Sequence, residues 1–211
     1  MKQINVYTFD ELTEEAQQKA VTEIAEEYHD NESLHNIEGI VDYWADRLEQ
    51  LGFEDAEIYF SYTNSQGDGA SFTCSNINMD TVINNLILCE QNYKRARGLV
   101  SAHKLATDTR YPIEGRITPT SSRYRHEFSV SLDIDFLPCC YPLEEHEKLY
   151  WLRDVLERSI EQYRVSLCNA IYKDIVAEHD YHYSAENLAE LADINEVCFI
   201  ENGSNYRRGT L

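Results

Sequence analysis

The apolar positions of this chain recur with two periods, three-to-four and two, and each change of period marks an element boundary. The opening INVYTFDEL alternates briefly and turns helical near Thr13, whose hydroxyl is placed to cap a first turn holding Glu14 and Glu15. Ala16, Ala20, Ile24 and Tyr28 make the inward stripe of that helix. A second helix begins after Ser33, with Leu34, Ile37, Val41, Trp44, Leu48 and Leu51 three or four apart and Gly52 positioned to end it.

Period two takes over at EDAEIYFSYT, which sets Ala56, Ile58, Phe60 and Tyr62 on one face of a strand, and GASFTC follows as its hairpin partner. MDTVINNLILCEQNY reads as a shorter helix. The cleanest alternation is HEFSVSLDIDF, after a turn at PTSSR. It points Phe128, Val130, Leu132, Ile134 and Phe136 inward and Glu127, Ser129, Ser131, Asp133 and Asp135 toward water, as in an antiparallel sheet solvated on one face. Beyond the breaker LPCCYP, a stripe of Leu149, Leu152, Leu156, Ile160, Tyr163, Leu167, Ile171 and Ile175 predicts one helix from about Glu144 to about Tyr181. At 1.5 Å per residue it is about 55 Å long. Ser184 caps a short last helix, and NEVCFIENG is a final strand closed by an Asn-Gly turn. The pattern predicts an α+β fold, an antiparallel sheet of about five strands covered on one face by helices including one long helix in the C-terminal half. Residues 1–211 are read as a single domain.

Charge sharpens this picture. The chain carries 38 acids against 18 Lys and Arg, a net of −20. Residues 1–60 hold −13 and residues 126–211 hold −10, whereas residues 94–125 run the other way with eight bases and two acids. An acidic body with one basic band repels nucleic acids and anionic membranes everywhere except at that band. No apolar run reaches the length of a membrane span, and the N-terminus turns acidic too early for a secretory signal, so a cytoplasmic protein is expected.

Candidate chemistry is sparse. In SQGDGASF, Gly67, Asp68 and Gly69 lack the Gly-Lys-Ser/Thr of a phosphate loop and the three glycines of a dinucleotide loop, and Asp68 is the only acid between Ser61 and Asn78, too few donors for calcium. The stretch reads as a structural turn. His179 and His182 share a helix face with Asp180 nearby, but two ligands at a helix end make no metal site. The six cysteines form no C-x-x-C pair and read as reduced packing residues. Glu144, Glu145 and Glu147 suit a helix N-terminus. With no nucleophile signature either, the sequence calls for no catalysis, cofactor or metal.

The basic band interleaves Arg95, Arg97, Lys104, Arg110, Arg116, Arg123 and Arg125 with Tyr93, Tyr111 and Tyr124. Two readings stand: counter-charge for the protein's own acidic helices, or a nucleic-acid-binding surface of arginine and tyrosine.

Three stretches, VYTFDELTEEAQQKA, FSYTNSQGDGASF and YSAENLAELADINEVCFIENG, together resemble a widespread family of bacteriophage and prophage proteins with a Tyr-x-Phe-x-Glu-Leu-Ser/Thr opening and a central Ser-Gln-Gly-Asp-Gly-Ala motif. The chain departs from it at Tyr62-Thr63, where the family has Gly-Phe. The resemblance implies phage origin and a bacterial host cytoplasm. It leads to an expectation of a non-enzymatic accessory protein that binds and inhibits a host protein, such as a nucleic-acid-handling defence factor, by imitating DNA with its carboxylates. Glu23, Glu26, Glu27 and Asp30, on the outer face of the first helix, are the expected partner-binding residues. The alternative is nucleic-acid binding through residues 94–125.

Overall fold

A computed structural model describes residues 4–32, 35–62, 67–90, 93–106, 113–120, 124–136 and 146–206. Its regular elements are α1 (Glu14–Glu32), α2 (His35–Gln50), β1 (Phe53–Glu54), β2 (Glu57–Ser61), β3 (Gly69–Thr73), β4 (Asn76–Ile77), α3 (Met79–Cys89), α4 (Tyr93–Ala106), β5 (Ile113–Pro119), β6 (Val130–Phe136), α5 (His146–His182) and α6 (Ala185–Ile194). The class is α+β, with antiparallel strand pairs and one long helix in the C-terminal half. Chain contacts divide it into two units, residues 1–39 with 175–211 and residues 40–174.

The first unit is built on α1. Thr13 caps it, its Oγ1 accepting from the Ala16 N–H at 3.4 Å. Leu12, Ala16 and Ala20 are buried with Ala192 of α6 and Phe199, and Phe9 meets Phe199 edge-on with ring centroids 6.2 Å apart. The expected opening and closing strands shrink to single bridges. Tyr7 and Phe199 exchange both backbone bonds at 2.9 and 2.8 Å, and the chain then turns at once, Ile200 N–H reaching Ser204 O at 2.9 Å. Gly203 makes that turn at φ +85°, where an added Cβ would stand 2.0 Å from Ala16 O, so the turn lies directly on the α1 backbone. Ser184 caps α6 as expected, its Oγ accepting from Asn187 N–H at 3.2 Å.

In the second unit, Gly52 ends α2 at φ +97°, the left-handed position that glycine fills without strain. Among the described residues the strands form three two-stranded antiparallel ladders, β1 with β4, β2 with β3 and β5 with β6, instead of one five-stranded sheet. Cys74 and Ile117 join two of the pairs by exchanging backbone bonds at 3.2 Å. The hairpin register sets Ile58 opposite Phe72 and Phe60 opposite Ala70. β3 is buried on both faces, and Phe72 packs edge-on to Phe53 at 5.1 Å. The expected stripe of α5 is inside, with Leu152, Leu156, Ile160, Leu167 and Ile171 buried; the side chains of Leu149, Tyr28 and Leu34 lie outside the described residues, as do Glu144, Glu145, Cys139 and Cys140.

One sequence expectation needs correction here. In HEFSVSLDIDF, Val130 and Ile134 are buried and Asp135 exposed as the alternation expects, but Glu127–Ser129 is a turn of 3₁₀ helix, which breaks it: Phe128 is 70% exposed and Ser129 buried. The cause is local. His126 Nδ1 accepts the Phe128 N–H, and the Ser129 hydroxyl, bonded to His126 O at 2.6 Å and to Ser71 Oγ at 3.3 Å, is held inside. One helix that the sequence pattern did not predict is α4. Its Leu99 and Ala102 are fully buried three residues apart, a helical signal masked in the sequence by the surrounding bases.

Candidate functional site

The first unit, residues 1–39 with 175–211, holds 17 acids and four Lys or Arg, a net of −13. Its one Lys or Arg among the described residues, Lys19, lies 3.7 Å from Glu23 and donates to Ser204 Oγ at 2.6 Å. Exposed carboxylates line α1 and α6: Glu14, Glu15, Glu26, Glu186, Glu190 and Asp193.

The four expected partner-binding acids do not form one equivalent set. Glu26 and Glu27 are exposed, whereas Glu23 is turned onto the protein's own chain. Its Oε2 accepts the Asn205 N–H at 2.9 Å and its Oε1 the Ser204 hydroxyl at 2.9 Å. The Asn205 backbone bond, with help from Ser204 and Lys19, holds the Glu23 carboxyl below the usual carboxylate range. Glu27 makes a longer contact to Asn205 Nδ2 at 3.5 Å. The Asp30 side chain lies outside the described residues.

The basic band is spread over three elements of the second unit. Arg95, Arg97 and Lys104 are on α4, Arg116 on β5, and Arg125 precedes the 3₁₀ turn; Arg110 and Arg123 lie outside the described residues. Part of the band is internal counter-charge. Arg116 lies 3.7 Å from Asp133 on the paired strand, and Arg95 lies 3.7 Å from Glu90 while donating to Gln162 Oε1 at 2.6 Å. Arg125 sits 4.9 Å above the Tyr59 ring, a cation–π contact.

The glycine turn behaves as a structural element. Ser61 donates across the hairpin to Asp68 Oδ1 at 3.1 Å, and Gly69 lies against the His126 backbone. Beside it, Tyr124, His126 and Phe128 follow one another at 5.7 and 6.0 Å between ring centroids, the outer two exposed. Beneath, the fully buried Arg164 donates to Glu161 at 2.8 and 2.5 Å and to Glu127 O at 2.7 Å, tying α5 to the 3₁₀ turn. Burial acts against its charge, but the Glu161 bonds outweigh it and keep Arg164 a cation.

Residues 24–185, more than three quarters of the chain, match the family described as Domain of unknown function (DUF8835). The chain belongs to that family. The DUF8835 stretch takes in the glycine turn, the whole basic band and the second unit, and it begins and ends inside the first. No curated protein and no solved structure matches the chain.

Among the described residues no group of three His, Cys, Asp or Glu is placed to hold a metal ion, and none of their helices is long and apolar enough to cross a membrane. His179 lies 3.5 Å from Asp180 and stacks on Tyr183, while His182 lies 3.0 Å from Glu178. Burial pushes the thiols of Cys74 and Cys168 up to about 11, far from the range of a nucleophile.

Sequence reasoning passed over a concave site in the second unit. Between α4 and α5 a groove of about 210 Å³ is lined by Lys94, Arg95 and Gly98 from one helix and Trp151, Val155 and Arg158 from the other. Trp151 is 54% exposed. Its signal in the sequence was an indole at a position one residue off the Leu152 stripe, hence outside the core face.

Proposed function

We propose that the protein is a non-enzymatic acidic accessory protein that binds, through the anionic unit of residues 1–39 with 175–211, the basic surface of a host protein that handles nucleic acid. The observation that supports this reading is the segregation of charge. A unit with 17 acids, whose described Lys19 is bound to its own Glu23 and Ser204, presents carboxylates on two helices with almost no cation between them. A surface of that kind favours encounter with a cationic partner and disfavours nucleic acid and other acidic proteins.

Within this reading the four acids are not equivalent. Glu23 holds the 200–206 turn, so Glu26, Glu27 and Asp30 are the residues to reverse while Glu23 is kept. In a tagged chain expressed in a bacterial host, recovery of a nucleic-acid-handling protein that is displaced by DNA is the expected result. The triple variant Glu26→Lys, Glu27→Lys, Asp30→Lys should lower its association rate, and added salt should lower the rate for the unaltered chain by screening beyond about 10 Å. A partner that holds the triple variant undiminished, or that binds DNA and this protein together, overturns the reading.

A further inference from the structure

In the first unit α1 and α6 bury one face of their contact and leave another open. Ala16 and Ala20 of α1 are buried with Ala192 of α6. Beside them runs a groove of about 400 Å³. From α1 it takes positions 14, 17, 18 and 21, which are three or four apart and so share one stripe of the helix. From α6 it takes Ala185, Glu186 and Ala189, and two of those three side chains are single methyl groups, which leaves the space unfilled. Phe9 closes one wall. Its ring is fixed edge-on to Phe199, and its carbonyl accepts the Gln17 amide at 3.2 Å.

The lining combines two chemistries. Phe9, Val21, Ala185 and Ala189 are apolar, Glu14 and Glu186 are exposed carboxylates, and none of the described residues that line it is Lys, Arg or His. Both acids stand in the first turn of a helix, where they complement the dipole. The dipole alone does not call for a groove, since Glu15 shares the same first turn and lies outside the lining. An apolar wall with an anionic rim selects a ligand that is apolar along its length and positive at its end. Arginine is such a side chain: its methylenes lie along apolar surface, and its planar guanidinium forks to carboxylates and lies flat on a ring. Lysine offers only a compact charge, and an acidic ligand is repelled.

We propose that the α1–α6 groove seats an arginine-bearing segment of a partner protein, the guanidinium held by Glu14 and Glu186, the arginine stem and a neighbouring apolar side chain lying on Phe9, Val21 and Ala189. Its volume falls within the roughly 300–1,000 Å³ of sites that enclose a small ligand, room for an arginine together with its neighbour. The choice of arginine rests on the anionic unit being the binding face, as proposed above, and adds which side chain that face receives and where.

The test uses the full chain and a short fluorescein-labelled peptide, Arg-Leu-Arg flanked by glycine and serine, read by anisotropy at low salt. Binding is expected, and replacing both arginines by lysine should weaken it about threefold. Glu14→Gln should weaken it about threefold, the worth of one exposed ion pair, whereas Glu15→Gln, the same charge change in the same turn, should leave it unaltered. Ala189→Phe, which fills the groove, should weaken it about tenfold. Circular dichroism checks that each variant folds, and if Ala189→Phe does not, the pair Glu14→Gln and Glu15→Gln decides. Absence of binding, equal affinity for the arginine and lysine peptides, or equal loss from Glu14→Gln and Glu15→Gln overturns the proposal. The reading of the unit as a charge-driven face is judged separately. A host partner that is lost by the triple variant at positions 26, 27 and 30 but held by a folded Ala189→Phe removes the groove and leaves that reading intact.

Discussion

Gly69 lies directly against His126: a Cβ on the glycine would stand 2.8 Å from the histidine Cβ and 2.9 Å from its Cα. The Cα cannot swing aside as a side-chain tip would, so the glycine of the central motif is required by a backbone crossing. Gly69→Ala should therefore lower stability by about 1–3 kcal/mol, the range for overpacking. Gly39→Ala is the control. It lies in α2 with nothing within 4 Å and should gain about 0.5–1 kcal/mol. Urea midpoints at neutral pH measure both.

Glu23 predicts a pH dependence. Its folded pKa is depressed, so its contribution is fully present above the unfolded carboxylate value of about 4.3 and is lost as pH falls through the folded one. Glu23→Gln should be less stable than the parent at pH 7, by about 1 kcal/mol once solvent screening of a side chain 35% exposed is allowed for. The gap should close as pH falls below about 4. Equal stability at pH 7 would mean that the carboxylate does not hold the turn.

Arg164 ties α5 to the turn below Phe128. Removing it as Arg164→Leu leaves Glu127 O without its donor and Glu161 without its fork, and should destabilise by about 1–3 kcal/mol. Lysine should rescue only in part, because one ammonium cannot reproduce the two bonds to Glu161. Thermal melts of the two variants separate a bidentate role from a simple charge.

The cysteines should differ in reactivity. Cys74 and Cys168 are buried with thiols pushed up to about 11, whereas Cys89 is exposed. Under native conditions at pH 8, iodoacetamide followed by peptide mapping should modify Cys89, with Cys74 and Cys168 modified only after unfolding.

What was legible in the sequence was the part governed by local periodicity. The α5 stripe from Leu152 to Ile171, the Gly52 stop and the Thr13 and Ser184 caps each depend on residues within a few positions, and each is where the pattern put it. The phase shift at Phe128 and Ser129 was not legible, because it is set by Ser71, 58 residues away. Nor was the role of Glu23, whose partners are 181 and 182 residues distant. The groove was missed for the same reason: Arg95 and Arg158 belong to different stretches, and only the folding of α4 onto α5 makes them neighbours.

The bridge between Tyr7 and Phe199 sets the order in which the protein can be made. A chain leaves the ribosome N-terminus first at about 5–20 residues per second, so α1 emerges roughly 10–40 s before the residues that cover its inner face. Within residues 40–174 the wait is shorter: Trp44 of α2 bonds to Asp174 of α5, 130 residues later. The waiting helix is suited to the interval. Its inner stripe is alanine at positions 16 and 20, which offers a chaperone or a neighbouring nascent chain little to hold, and its acidic outer face repels other copies of itself.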